Sequence, residues 1–141
     1  MLIEKAISIK QPWADLIIEN IKDIEIRTWN TKHRGLIAIH TGSKFDNDGL
    51  KYLQQKKYYK NKTEKDFLKG YIIGYAYLYD TIEFRDKKHF KQYQDRHHNN
   101  PDWFTGSEKG FILIDITKTF PMKQKGKLNI YKLDSALEIA R

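Results

Sequence analysis

The sequence predicts an α+β domain: a small β-barrel of five to six mostly antiparallel strands with short helices inserted around it. Three observations point that way. Short alternating or β-branched runs recur along the chain, with helical spacings between them. No glycine-rich phosphate loop follows any of those runs, which disfavours parallel βαβ winding. The 141 residues carry no internal repeat, low-complexity tract or Pro/Gly/Ser linker, so residues 1–141 read as one domain with one packed core. Nine Tyr, seven Phe and three Trp are too many aromatics for a solvated, disordered chain.

The opening run, Ile3 to Ile9, reads as a strand. Pro12 suits the first turn of a helix, where its missing N–H would be unpaired in any case. Trp13, Leu16, Ile17 and Ile21 give that helix one apolar face. From Asp23 to Trp29 the pattern becomes strict alternation. Ile24 and Ile26 share one face, while Asp23, Glu25, Arg27 and Trp29 share the other. Leu36 to Thr41 is apolar and β-branched, as in a strand buried on both faces. Asp46 to Tyr59 reads as helical with Leu50 and Leu53 inward, and Thr63 to Asp66 has the capping spacing of another short helix.

Tyr71 to Phe84 is the longest strand candidate. It places Tyr71, Ile73, Tyr75, Tyr77 and Tyr79 opposite Ile72, Gly74, Ala76 and Leu78, and the small residues at 74 and 76 mark a tight bend or a close neighbour. Lys87 to Asp95 reads as helical. Gly110 to Thr117 is a further strand, alternating Ile112, Ile114 and Ile116 against Phe111, Leu113 and Asp115. After Pro121 a lysine-rich turn leads to Ile130-Tyr131-Lys132-Leu133, and Ser135 with Glu138 has the capping-box spacing of a terminal helix.

The absence of cysteine removes disulfides, thiol nucleophiles and cysteine-held metal centres. Glu4 and Lys5 precede any apolar run, which argues against a signal peptide. The apolar stretch Gly70 to Tyr79 is too short for a bilayer, which takes about 20 residues. The expectation is a soluble, cytoplasmic monomer with no membrane partner. Twenty-six Lys and Arg against eighteen Asp and Glu give a net charge of +8, and a basic domain attracts polyanions, above all phosphate backbones. Lys51 to Lys62 holds five lysines and three tyrosines without an acid. That mixture suits backbone neutralisation with base stacking, although a solvated helix and loop would look the same.

The informative segment runs from Ile9 to His40. Lys22, Glu25 and Arg27 converge on one groove in the strand reading and are competent to read a base. The carboxylate accepts from exocyclic amines, the cations hold phosphate or carbonyl oxygens, and a nearby ring stacks. Lys10, Gln11 and Trp13 form the helix-side rim. Arg34, Lys44 and the Lys56-Lys57-Lys60 face neutralise backbone, with His33 as a phosphate contact. His40 joins this nucleic-acid-binding set, either as a hydrogen-bonded, partly buried ring or as an imidazole base of a metal-independent ribonuclease. The plainer alternative is a surface ion pair between Glu25 and its neighbours, with Trp13 an ordinary core residue. His89, His97 and His98 lie near Asp95, but adjacent histidines point apart and no fourth ligand has a suitable spacing. No metal or cofactor is expected.

The run Ser8-Ile9-Lys10-Gln11-Pro12-Trp13-Ala14, then Lys22-Asp23-Ile24-Glu25-Ile26-Arg27-Thr28-Trp29-Asn30-Thr31 and His33-Arg34-Gly35, resembles the signature of the ASCH domain. This is the activating-signal-cointegrator homology family of PUA-like β-barrels. Gly70-Tyr71-Ile72-Ile73-Gly74, Phe120-Pro121-Met122-Lys123 and Tyr131-Lys132-Leu133-Asp134 extend the likeness over almost the whole chain. The resemblance implies a barrel whose cleft, beside the first helix, holds RNA or single-stranded nucleic acid. The family pattern Gly-x-Lys-x-x-Glu-x-Arg is kept at Lys22, Glu25 and Arg27, with Asn20 at the glycine position, a residue that tolerates left-handed backbone. Some bacterial relatives are amidohydrolases on N-acetylated cytidine and use a Lys, a Thr and a distant Glu. Here Lys22 matches the lysine, Glu25 stands at the threonine position, and Thr28 turns to the opposite face. The enzyme alternative is therefore a hydrolase on acetylated cytidine, or a ribonuclease, relying on Lys22 and Glu25 for catalysis.

Overall fold

The computed structural model describes residues 1–139. In chain order the elements are β1 (Leu2–Gln11), α1 (Trp13–Ile18), β2 (Ile24–Arg27), β3 (Gly35–Phe45), α2 (Asn47–Gln55), β4 (Tyr71–Glu83), α3 (Lys87–Lys91), α4 (Gln94–His97), β5 (Lys109–Lys123) and β6 (Ile130–Glu138). Two 3₁₀ turns, Glu64–Asp66 and Pro101–Trp103, complete it. The strands form one six-stranded sheet in the order β2-β5-β4-β3-β1-β6, curled into a half-barrel. Among the described residues β1 and β3 pair in parallel and the other pairings are antiparallel. The α+β architecture expected of the sequence is the one observed.

Helix α1 plugs the concave side. Trp13, Leu16, Ile17 and Ile18 bury against Ile9, Ile39, Leu78 and Phe111 of the sheet. Gly74 lets the helix approach, since a Cβ there would run into Ile18 and the Thr117 carbonyl. The close neighbour expected at Gly74 is thus helix α1 and strand β5. A smaller cluster lies on the other face, where Ile3, Ala6, Ala38, Ile72, Tyr131 and Leu133 pack together.

Three sequence expectations are corrected by the structure. The alternation of β4 breaks at a bulge, since Ile39 pairs with Gly74 but His40 pairs with Ile72. Ile73 therefore joins Ala76 and Leu78 in the main core, and Ile72 packs with Tyr75 outside it. The helix expected over 87–95 is two pieces, α3 and α4, interrupted at Gln92 and Tyr93. Ser135 and Glu138 do not open a terminal helix. They lie in β6, which pairs antiparallel with β1 (Leu2 with Glu138, Ala6 with Tyr131), because the free edge of β1 offers a ladder that a local cap cannot match. Strand β5 is the longest element at 15 residues and runs through Pro121. The register shift between Ile72 and Gly74 places Pro121 in a bulge, where its missing N–H costs no ladder bond. Among the described residues no helix is long and apolar enough to cross a membrane.

Candidate nucleic-acid interface

Helix α1 ends in a left-handed turn at Asn20, whose φ is 62°. The amides of Ile21 and Lys22 both return to the Leu16 carbonyl at 3.1 Å, which turns Lys22 inward ahead of β2. Lys22 is fully buried. Its Nζ donates to the His97 carbonyl at 2.6 Å and to Asn99 Oδ1 at 2.9 Å, stands 3.6 Å from Glu25 Oε1, and lies 5.0 Å from the Trp13 ring centre. Burial pulls its pKa down to about 8, with the Glu25 carboxylate opposing the shift.

Strand β2 carries the next two groups on one face, as its alternation requires. Arg27 Nε donates to Glu25 Oε2 at 3.1 Å, so the carboxylate bridges Lys22 and Arg27. Arg27 Nη2 reaches across to the Ser8 carbonyl of β1 at 2.6 Å, and its guanidinium lies 5.8 Å from the Trp29 ring, which rests edge-on against Phe111. Two cations and one carboxylate thus form a continuous row with a surplus positive charge. Its exposure is graded: Lys22 is closed off, whereas 19% of the Arg27 side chain is open. The roof over Lys22 is the segment leaving α4, held down by a pair between Arg96 and Asp23 at 3.0 Å and by the Asp23 amide on the Arg96 carbonyl. The open wall expected in front of all three charges is corrected: Lys22 is enclosed by the segment leaving α4, Glu25 is nearly so, and Arg27 keeps part of its side chain open. The two cavities that stand out, about 230 and 270 Å³, lie elsewhere, one beside Lys5 and His33 and one between Tyr75, Phe120 and Leu137.

The remaining candidates divide by what holds them. Gln11 is buried and braces the start of α1: its Oε1 accepts from the Asp15 amide at 2.9 Å, and its Nε2 donates to Asp15 Oδ1 and the Leu68 carbonyl. Trp13 is a core residue as well as the ring beside Lys22, and its Nε1 donates to Asp46, the residue that caps α2. His40 is buried away from the row, between Ser8 Oγ at 2.8 Å and the Gln124 carbonyl at 2.6 Å. Burial lowers its pKa, partly offset by that carbonyl. His33 makes a 3.3 Å contact with the Leu36 carbonyl, and burial lowers its pKa. Arg34 is exposed and bound to Asp80 and Thr81; Thr81 is in register with Glu25 across Phe111 of β5. Lys10, Lys44, Lys56, Lys57 and Lys60 are exposed.

The histidine group near Asp95 is spent internally. His97 stacks on Phe90 at 4.0 Å, with Nε2 on the Phe90 carbonyl and Nδ1 accepting from the Asn99 amide, and burial pushes its pKa down to about 4. His89 Nδ1 accepts from the Arg85 amide. Among the described residues no group of three potential ligands is placed to hold a metal ion. Asn99 and Trp103 were not legible as site residues. They reach Lys22 and Trp13 only through the fold, from a loop whose Asn-Asn-Pro run signals a turn and nothing more.

Comparison with known proteins matches this arrangement to a family. The sequence profile of the ASCH domain covers residues 7–120. Activating signal cointegrator 1 of Mus musculus is 31% identical over 137 residues, and that of Homo sapiens is 30% identical over 141; each alignment takes in 93% of this chain. The chain spans only 22% of the length of those relatives. Among solved structures, the crystal structure of ASCH from Zymomonas mobilis superposes with a TM-score of 0.63 at 17% identity, covering 92% of this chain and 87% of that one. A serine-to-alanine mutant of the same Zymomonas mobilis protein gives 0.62 at 17% identity over 92% and 87%. The fold is shared with these structures, and by profile and by sequence the chain belongs to the ASCH domain family.

Proposed function

We propose that this ASCH domain binds RNA or single-stranded nucleic acid at the row Lys22-Glu25-Arg27. The observation that carries the reading is the bridging carboxylate. Glu25 sits between two cations on one face of β2 and orients Arg27, the member of the row whose side chain is partly open, so that its guanidinium can donate to the edge of an unpaired base. Arg27, partly open, makes the contact, and Lys22, closed off beneath it, holds Glu25 and through it Arg27. Exposed Lys10, Lys44, Lys56, Lys57 and Lys60 take up backbone charge around it, whereas Arg34 is tied to Asp80 and Thr81. Gln11 and His40 support the frame from behind. Filter binding of mixed RNA and single-stranded DNA at low salt tests the reading. Retention by the wild type is expected, and Arg27→Ala should lose about 1–3 kcal/mol on a preferred sequence. A wild-type protein that retains neither polymer removes the proposal.

One observation favours a second reading. A lysine brought down to about 8 is substantially neutral in mildly alkaline solution, and a neutral amine beside a carboxylate has the chemistry hydrolysis needs, provided substrate passes the α4 segment that covers it. Incubation with acetylated cytidine and with mixed RNA separates the readings. Turnover that rises through the Lys22 titration and disappears in Lys22→Met would make the domain an enzyme.

A further inference from the structure

The row of charges does not stop at Lys22. Trp13, whose ring lies 5.0 Å from the Lys22 ammonium, meets Trp103 edge-to-face, with ring centres 6.4 Å apart and planes at 87°. Trp103 in turn meets Tyr52 at 5.4 Å, and Lys56 Nζ stands 5.6 Å from the Tyr52 ring. Aromatic rings and cations thus continue from the buried amine to the lysine-rich face. Trp103 is the ring most open to solvent in this series, at 38% exposure.

Trp103 is also held in place. It closes the 3₁₀ turn Pro101–Trp103, in which Asn100 Oδ1 accepts from the Asp102 amide at 3.0 Å and the Trp103 amide bonds the Asn100 carbonyl. Asp102, the acid nearest the ring in sequence, is paired with Lys87 at 2.9 Å, and Lys91 also lowers its pKa. The Glu108 carboxylate gathers the Thr105 and Gly106 amides and pins the far side of the loop. A large indole kept open on a hydrogen-bonded loop in a domain of net charge +8, with its neighbouring carboxylate paired to Lys87, is suited to a flat ligand on a polyanionic chain.

We propose that Trp103, backed by Tyr52 and Trp13, is a stacking platform for one unpaired nucleobase of single-stranded RNA or DNA. The proposal rests on the nucleic-acid reading above and deepens it. Backbone phosphates lie along Lys56 and the cations beyond it, and the platform selects unpaired bases, whose faces are free, over bases enclosed in a duplex.

The test measures fluorescence anisotropy with a labelled single strand, the same strand annealed to its complement, and an abasic strand of equal charge. Trp103→Ala should weaken binding of the intact single strand about tenfold, the loss of one stacked base. It should leave the duplex and the abasic strand unchanged, and wild type should hold the abasic strand no more tightly than the variant holds the intact one. Trp103→Phe, which keeps a ring, should retain most of the affinity yet lose the share of the tryptophan quenching that Trp103 contributes, leaving that of Trp29 beside Arg27. Should Trp103→Ala fail to fold, this emission readout decides the matter. Undiminished binding by Trp103→Ala, equal weakening on the abasic strand, or full quenching in Trp103→Phe overturns the platform alone. A wild-type protein that binds no strand overturns both the platform and the nucleic-acid reading.

Discussion

A lysine ammonium without water survives in a folded domain only where oxygens replace its hydration, and Lys22 finds them in His97, Asn99 and Glu25. The replacement is incomplete, which is why burial outweighs Glu25 and the pKa falls to about 8 from the usual 10.5. The consequence for stability has a definite sign. Between about 8 and 10.5 the unfolded chain still holds the Lys22 proton and the native state does not, so native stability rises with pH across that window. The gain approaches about 3 kcal/mol. Urea denaturation at pH 7.5 and at pH 10, compared between wild type and Lys22→Met, should show the wild type gaining on the variant as pH rises. A constant difference would mean that Lys22 keeps its ordinary affinity for protons. The charges of this row were legible in the sequence because alternation places Glu25 and Arg27 on one face. Their enclosure was not, because Asn99 and His97 arrive from 75 or more positions away.

Elements position these residues through their ends. Helix α1 is only six residues long, and its value lies in the turn that follows it. Asn20 adopts left-handed backbone, as its place in the family pattern implied, and so closes the helix and aims Lys22. Asn20→Gly should therefore leave thermal stability unchanged or raise it. Asn20→Val should lower it by about 1–2 kcal/mol, since a β-branched residue has no comfortable left-handed conformation. Differential scanning calorimetry of the pair checks this; equal melting for the two would show that the turn relaxes to another conformation. Strands as a class were readable from period two and β-branching, while their irregularities were not. The bulge that moves Ile73 into the core depends on matching β3 to β4, and the recruitment of Ser135 into β6 depends on the empty edge of β1. Local signals describe what a segment prefers, whereas a sheet edge decides what it obtains.

At the scale of the molecule the positive charge is unevenly used. Several cations are already committed to partners: Arg34 to Asp80, Lys69 to Glu64, Lys87 to Asp102, Arg96 to Asp23. Among the described residues Lys56, Lys57 and Lys60 form no such ion pair, and Lys57 sits at a left-handed backbone position, φ 74°, where the chain turns after α2. Charges free of internal partners are the ones that displace counterions from a bound strand. Each such contact to a single strand contributes about −0.7 to the slope of log affinity against log salt. Replacing Lys56, Lys57 and Lys60 together with glutamine should flatten that slope by about 2 while weakening all sequences alike. Arg27→Ala, by contrast, should weaken preferred strands more than others if its guanidinium meets a base as proposed. Anisotropy titrations over a salt series separate the two behaviours. If the triple variant keeps the wild-type slope, the strand runs along another face, and the cations to test next are Lys10 and Lys44, exposed near the carboxyl ends of β1 and β3.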